Sequence, residues 1–312
     1  MKRLFKFIVP PIILFSLIFW FVFPEMTSRV LINFNNSSAS LSAKVVPTKL
    51  GDIHYLEGGH GHTIVLLHGI YARKEHWVDL ARALTQRYHV IALDLPGFGD
   101  NQSLPIGNYN LNAQAKNLEA VLDALDIDNA HFGANSMGAA VLAILAAKRS
   151  EIIRTLAFIG SPLGVTTPIK SEMDLALENQ NYPLVVKDKQ DFKERNDWLF
   201  PKIPIVPGPI LKTWMKEELV DPKKNGQIWH TVHDFSNTPT LLELAPKLNL
   251  QTLIIWCEED RIFHLSGANV LDKALPKSHL EILNNCGHVP MLDKPKEVAE
   301  AYLNFLANDA LR

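Results

Sequence analysis

Short apolar, β-branched runs alternating with helical repeats limit what this chain can fold into more than any other feature. HTIVLLHG (62–69) and YHVIALD (88–94) are bounded by polar residues or glycine, as strands buried on both faces are. Between them Trp77, Leu80, Ala81 and Leu84 recur at helical spacing. Leu111, Ala115, Leu118, Leu122 and Leu125 do the same before the next run, AHFGAN. IIRTLAFIG, TLIIWC and HLEILNN supply further strands, and Pro295 suits the first turn of a last helix presenting Val298, Tyr302 and Phe305. Such alternation predicts an α/β fold, a mostly parallel sheet with helices on both faces. The 312 residues suffice for a full core, and 47% hydrophobic with 21% charged residues argues against wholesale disorder. A net charge of −2 leaves no basic footprint, so nucleic acid is not expected as a partner.

The alternation stops between residues 161 and 248, where FPKIPIVPGPI, KDKQDFKERND and LLELAPKL occur. Trp198, Leu199, Phe200, Trp214, Met215 and Trp229 make this stretch too apolar for a disordered insertion. A mainly helical cap is expected at the C-terminal edge of the sheet, where open α/β folds bind ligands. Residues 45–160 and 249–312 then form the core. At the other end, Lys2, Arg3 and Lys6 precede an uncharged run from Phe7 to Phe23. A helix over that run rises about 26 Å, near the lower limit for a hydrocarbon core of roughly 30 Å. Residues 1–24 read as an uncleaved transmembrane anchor, with a removable signal segment as the alternative. Residues 25–44, including NFNNSSASLSAK, read as a polar tether. The basic flank should stay cytoplasmic and the folded body be exported, to the periplasm in a bacterium. Cleavage would instead leave it secreted.

The stretch NAHFGANSMGAAVLA (129–143) sets Ser136 at a strand-to-helix turn. Backbone crowding at such a turn demands small residues two before and two after, which Ala134 and Gly138 provide. The helix from Met137 onward aims its positive end at the serine and at any oxyanion beside it. A serine nucleophile needs a base, and the base an orienting acid. Asp260 in IIWCEEDRIF and His288 in NNCGHVPML each follow a strand, in the chain order Ser, Asp, His. Glu258 and Glu259 are rivals for the acid. The backbone N–H groups of Met137 and Ile70 are the expected oxyanion donors, and Tyr71, Trp198, Trp214 and Val289 candidate substrate contacts. His68 and the carboxylates of DLPGFGD (94–100) read as structural. His230 and His233 read as unpaired or pocket-lining rather than metal ligands, and no metal is expected. Cys257 and Cys286 lie near the ends of strands expected to be neighbours, so a disulfide is conceivable.

LLHG, DLPGFG, NSMG, WCEEDRIF and NCGHVPMLDKP stand in the order and spacing of the α/β-hydrolase superfamily, which the chain resembles over about residues 51–306. HGIYARKEHW, FHLSGANVL before LEILNNCGHVPML, DFKERNDWLFPKIPIVPGP and the N-terminal run most resemble membrane-anchored monoacylglycerol-lipase-like hydrolases and similar bacterial lipases. The resemblance implies a cofactor-free serine esterase, held at a membrane by its N-terminal segment. Its implied substrates are lipidic esters with short to medium acyl chains, such as monoacylglycerols. Ala134 departs from the usual glycine of the motif, and Cys257 stands where Trp-Gly is common. Carbon–carbon bond hydrolases of ring-cleavage products share the elbow. Those resemble a different pattern, with several glycines in the oxyanion loop and an aromatic after the histidine, where Ile70-Tyr71 and Val289-Pro290 stand here. A non-catalytic binding protein on the same scaffold is the reading outside enzymology, and an intact Ser136, Asp260 and His288 argue against it.

Overall fold

Six of the apolar runs become parallel strands of a single eight-stranded sheet, whose spatial order follows the chain except that the fourth strand lies between the second and the third. The computed structural model describes residues 19–310, so most of the expected anchor, residues 1–18, lies outside the described residues. Helix α1 (Pro24–Ser38) leads into the antiparallel pair β1 (Leu41–Thr48) and β2 (Gly51–Gly59). The α/β alternation follows: β3 (Thr63–Leu67), α2 (Val78–Leu84), β4 (His89–Leu93), α3 (Leu111–Ala124), β5 (Ala130–Ser136), α4 (Met137–Lys148) and β6 (Ile153–Pro162). Five helices intervene: α5 (Glu172–Glu178), α6 (Lys189–Leu199), α7 (Gly208–Glu218), α8 (Pro222–Val232) and α9 (Leu241–Leu244). Then come β7 (Gln251–Cys257), α10 (Ser266–Ala274), β8 (Ser278–Leu283), α11 (Pro290–Asp293) and α12 (Pro295–Ala310). The expected α/β-hydrolase architecture, with a mainly helical cap between β6 and β7, is the observed one.

Why the strand runs are uninterruptedly apolar follows from the two faces. Ile64 and Leu66 of β3 pack with Trp77, Leu80, Leu84, Val298 and Tyr302 on one side. Val65 and Leu67, pointing oppositely, pack with Leu118, Leu122, Val141 and Leu145 on the other. Helix α4 is buried from Met137 to Ala146, which accounts for its being apolar on every side. Its small residues let it lie close to the sheet and to α3.

The reading of residues 25–44 as a polar tether is corrected by the structure. Most of that segment is helix α1, and its end is the start of β1. The polar side chains that suggested a linker are instead bonded to the body. Arg82 donates to Ser38 Oγ (2.7 Å) and Asn35 Oδ1 (3.0 Å), Thr85 donates to the Ala39 carbonyl (3.0 Å), and Lys216 of α7 pairs with Glu25. β1 exists because eight residues of β2 pair with it, a partner that composition cannot reveal. Among the described residues, no helix is long and apolar enough to cross a membrane.

Candidate active site

Ser136 ends β5 and caps α4, with φ of 51° and ψ of −118°. A non-glycine residue in this region carries strain, and here the strain turns the chain sharply from strand to helix. Gly138 is required two residues on: a Cβ there would come within 2.5 Å of the His68 carbonyl oxygen. Ala134 is fully buried, so the elbow tolerates a methyl where its usual motif has glycine. Met137 opens α4, and a first-turn N–H has no acceptor within its own helix.

Asp260 lies in the loop after β7, and its carboxylate is fixed on both oxygens. Oδ1 accepts from the N–H groups of Ile262 (2.8 Å) and Phe263 (3.2 Å), while Oδ2 faces His288 Nδ1 at 3.1 Å. Glu258 and Glu259, the rival acids, are exposed. His288 lies between β8 and α11, with the Phe263 ring 5.8 Å from its own. Its backbone is tied to the elbow strand, because Asn135 Nδ2 donates to the carbonyl oxygens of both His288 (3.1 Å) and Ile159 (2.9 Å). The cap closes on the same loop, with His288 N–H donating to the Leu199 carbonyl at 3.0 Å. A third polar side chain, Ser161 at the end of β6, bonds to both Asp260 and His288, and sequence reasoning missed it. The break in the alternation places it first in the cap, whereas β6 runs on through Pro162. Its place at the end of the strand next to the elbow strand was the signal available.

A disulfide joins Cys257, the last residue of β7, to Cys286, with Cα atoms 5.3 Å apart. It staples the loop of Asp260 to the loop of His288.

The loop after β3 carries the other expected features. His68 is fully buried: Nδ1 donates to the Gly69 carbonyl (2.7 Å) and Nε2 accepts from Leu95 N–H (2.9 Å). It braces the loop, as expected, and burial pushes its pKa down to about 4. Lys74 and Arg73 pair with Asp94 and Asp100, so those carboxylates hold the loop in place. Tyr71 has φ of 55°, its hydroxyl donates to the Asn225 carbonyl of the cap, and, like Ile70, Trp198, Leu199 and Phe263, it packs against the buried cluster of Met173, Leu184, Val185, Trp229 and Ile262. Trp198 also stacks on Arg261. Val289 is buried in the same core cluster as Phe200. Trp214 belongs to another group: it meets Arg73 and His76 and lines a cavity of about 540 Å³ against α1. His233 stacks on Trp229, and His230 meets Tyr182. Among the described residues no cluster of three or more histidine, cysteine or acidic side chains could hold a metal ion.

Four imidazoles enclosed by the fold make stability depend on acid. Burial holds His68, His131 and His233 near 4 and His76 near 3 in the folded chain, against an ordinary value of 6.5. The unfolded chain therefore binds protons that the folded one refuses between those values. Their stabilisation is complete above about 6.5 and is lost as pH falls towards 4, on the order of 1–2 kcal/mol each between pH 7 and 5. Denaturant midpoints should fall steadily over that interval. Asp293, which burial raises to about 6, works the other way and offsets part of the loss. A flat profile from pH 7 to 5 would mean that these rings are not held neutral.

A parallel sheet with a strained serine elbow, an acid after β7 and a histidine after β8 defines a hydrolase scaffold of one particular class. The chain belongs to the alpha/beta hydrolase fold family, whose model matches residues 62–295. Lipase 1 of Psychrobacter immobilis is 27% identical over 283 residues, covering 89% of this chain and 88% of that one. Monoacylglycerol lipase abhd6-B of Xenopus laevis is 25% identical over 262 residues, 80% of this chain and 77% of its own. Among solved structures, a membrane phospholipase A described as a bacterial virulence factor superposes with a TM-score of 0.88 at 33% identity, covering 99% of both chains.

Proposed function

We propose that this chain is a serine hydrolase of lipid carboxylic esters, acting on acylglycerols and glycerophospholipids at a membrane surface. The observation that carries the reading is the strained Ser136 elbow joined, through Asn135, to a histidine already paired with a buried carboxylate. Ser136 Oγ attacks the ester carbonyl while His288 Nε2 takes its proton, and Asp260 orients the imidazole. The N–H groups of Met137 and Ile70 receive the oxyanion of the tetrahedral intermediate. His288 returns the proton to the departing alcohol, and water activated by the same imidazole then releases the fatty acid. The names of the similar proteins, two lipases and a membrane phospholipase A, support lipid esters as the substrate class.

The exterior supports work at a lipid surface. Val22, Met26, Val30 and Phe34 recur every four residues and are all exposed, so one side of the N-terminal helical segment is an unpartnered apolar stripe. Val22, Met26 and neighbouring Phe21 and Phe23 border a cavity of about 750 Å³ shared with Lys189, Lys212 and Lys216 of the cap. Apolar residues beside lysines suit the interface of an anionic bilayer. The segment continues the uncharged run from residue 7, which we read as the anchor. The buried disulfide is the kind of bond that persists outside the reducing cytosol, in keeping with an exported body.

The test is hydrolysis by the purified full-length chain in mixed micelles. Monoacylglycerols, phosphatidylethanolamine and p-nitrophenyl esters of graded chain length are compared with a ring-cleavage diketone. Free fatty acid should appear from the lipid esters, with no turnover of the diketone. Turnover of the diketone without any ester cleavage would replace the reading with carbon–carbon hydrolysis, and turnover of nothing would leave the scaffold reading alone.

A further inference from the structure

The Asp260–His288 pair has a third member. Ser161 Oγ, fully buried, donates to Asp260 Oδ2 and lies 2.9 Å from His288 Nδ1, which is itself 3.1 Å from the same Oδ2. The three atoms form a closed triangle. We propose that Ser161 is a positioning residue that fixes the tautomer and the angle of the His288 imidazole, an inference resting on the serine-hydrolase reading above.

The proton count supports this. A hydroxyl has one hydrogen to give and lone pairs to accept with. Ser161 gives its hydrogen to the carboxylate, so the side of Oγ facing Nδ1 is a lone pair. Nδ1 then faces two acceptors, Oδ2 and Oγ, and must carry the ring proton. Nε2 is left unprotonated, as a base requires. Asp260 has no spare freedom to compensate for the loss of the hydroxyl, because its other oxygen is held by the Ile262 and Phe263 N–H groups. The hydroxyl has no other partner among the described residues, so its two bonds are both spent on this pair. The strand end that carries it is held to the elbow as well: Asn135 bonds the Ile159 carbonyl, and Leu163 N–H donates to the Ser136 carbonyl at 3.1 Å. Ser161 is therefore registered against Ser136 by the sheet itself.

Ser161→Ala should lower kcat by about 10- to 100-fold, the scale of a slight misplacement of a reacting group, with KM unchanged because Ser161 reaches the reaction only through the imidazole. Ser161→Thr, which keeps the hydroxyl, should recover most of that loss. In an Asp260→Asn background, read by the slow rate of fluorophosphonate labelling, Ser161→Ala should cost less than about threefold, since residues acting as a unit are not additive. A kcat within twofold of wild type for Ser161→Ala, or an undiminished loss in the Asp260→Asn background, would overturn the assignment. Ser136→Ala is assayed in parallel. If it remains active the serine reading itself is wrong, whereas an inactive Ser136→Ala beside a normal Ser161→Ala removes only the role of Ser161.

Discussion

Ser136→Ala is expected to abolish labelling by a fluorophosphonate and to lower ester turnover by about 10⁴- to 10⁶-fold, the range seen when a serine nucleophile is removed. The fold should survive, because alanine meets the same backbone conformation with a smaller side chain and the small residues flanking the elbow are untouched. What activity remains would come from the oxyanion donors and from substrate binding, which do not need the hydroxyl. Ser136→Gly adds an independent check. With φ of 51° at this position, glycine relieves strain of about 1–3 kcal/mol, so this variant should melt above the wild type while being equally inactive. Equal labelling of wild type and Ser136→Ala would remove Ser136 from the chemistry. A lowered melting temperature for Ser136→Gly would mean that the elbow is not strained.

Removing the disulfide is expected to be the largest stability effect. Cys257 and Cys286 are 29 positions apart and both fully buried. Closing a loop of that length restricts the unfolded chain by about 3.5 kcal/mol on the chain-entropy account. Cys257→Ala with Cys286→Ala should therefore lower the melting temperature by about 5 °C or more for a chain of this size. Activity well below the melting temperature should fall far less, because backbone bonds also join the two loops. Glu258 N–H donates to the Leu283 carbonyl (2.9 Å), and Glu259 N–H to the Cys286 carbonyl (3.2 Å). Differential scanning calorimetry of the double variant and the wild type, the latter with and without reductant under denaturing pulses, makes the comparison. An unchanged melting temperature would show that the bond adds nothing to stability.

Part of this was written locally in the chain. The six parallel strands were legible because both faces of each are covered, leaving runs such as TIVLL and TLIIWC without polar interruption. The elbow was legible because crowding admits only small residues around Ser136, and that demand falls on immediate neighbours. Helix α1 and the β1–β2 pair were not legible, since Asn33, Asn35, Asn36 and Ser38 look like linker residues until Arg82 and the cap are brought against them. Ser161 in FIGSPLG offers only its place at a strand end, where it passes for the first residue of an insertion until the neighbouring strand is known.

By itself, then, the sequence determined the alternating elements, the position of the turn that exposes a serine, and which acid and histidine follow a strand. Only the tertiary structure decided that Ser161 meets Asp260 across 99 positions and His288 across 127, and that Cys257 bonds Cys286. The physical reason is the range of the forces involved. Periodicity and steric crowding act between residues adjacent in the chain, whereas a hydrogen-bonded triangle forms only where strand order and register bring three distant strand ends to one edge of the sheet.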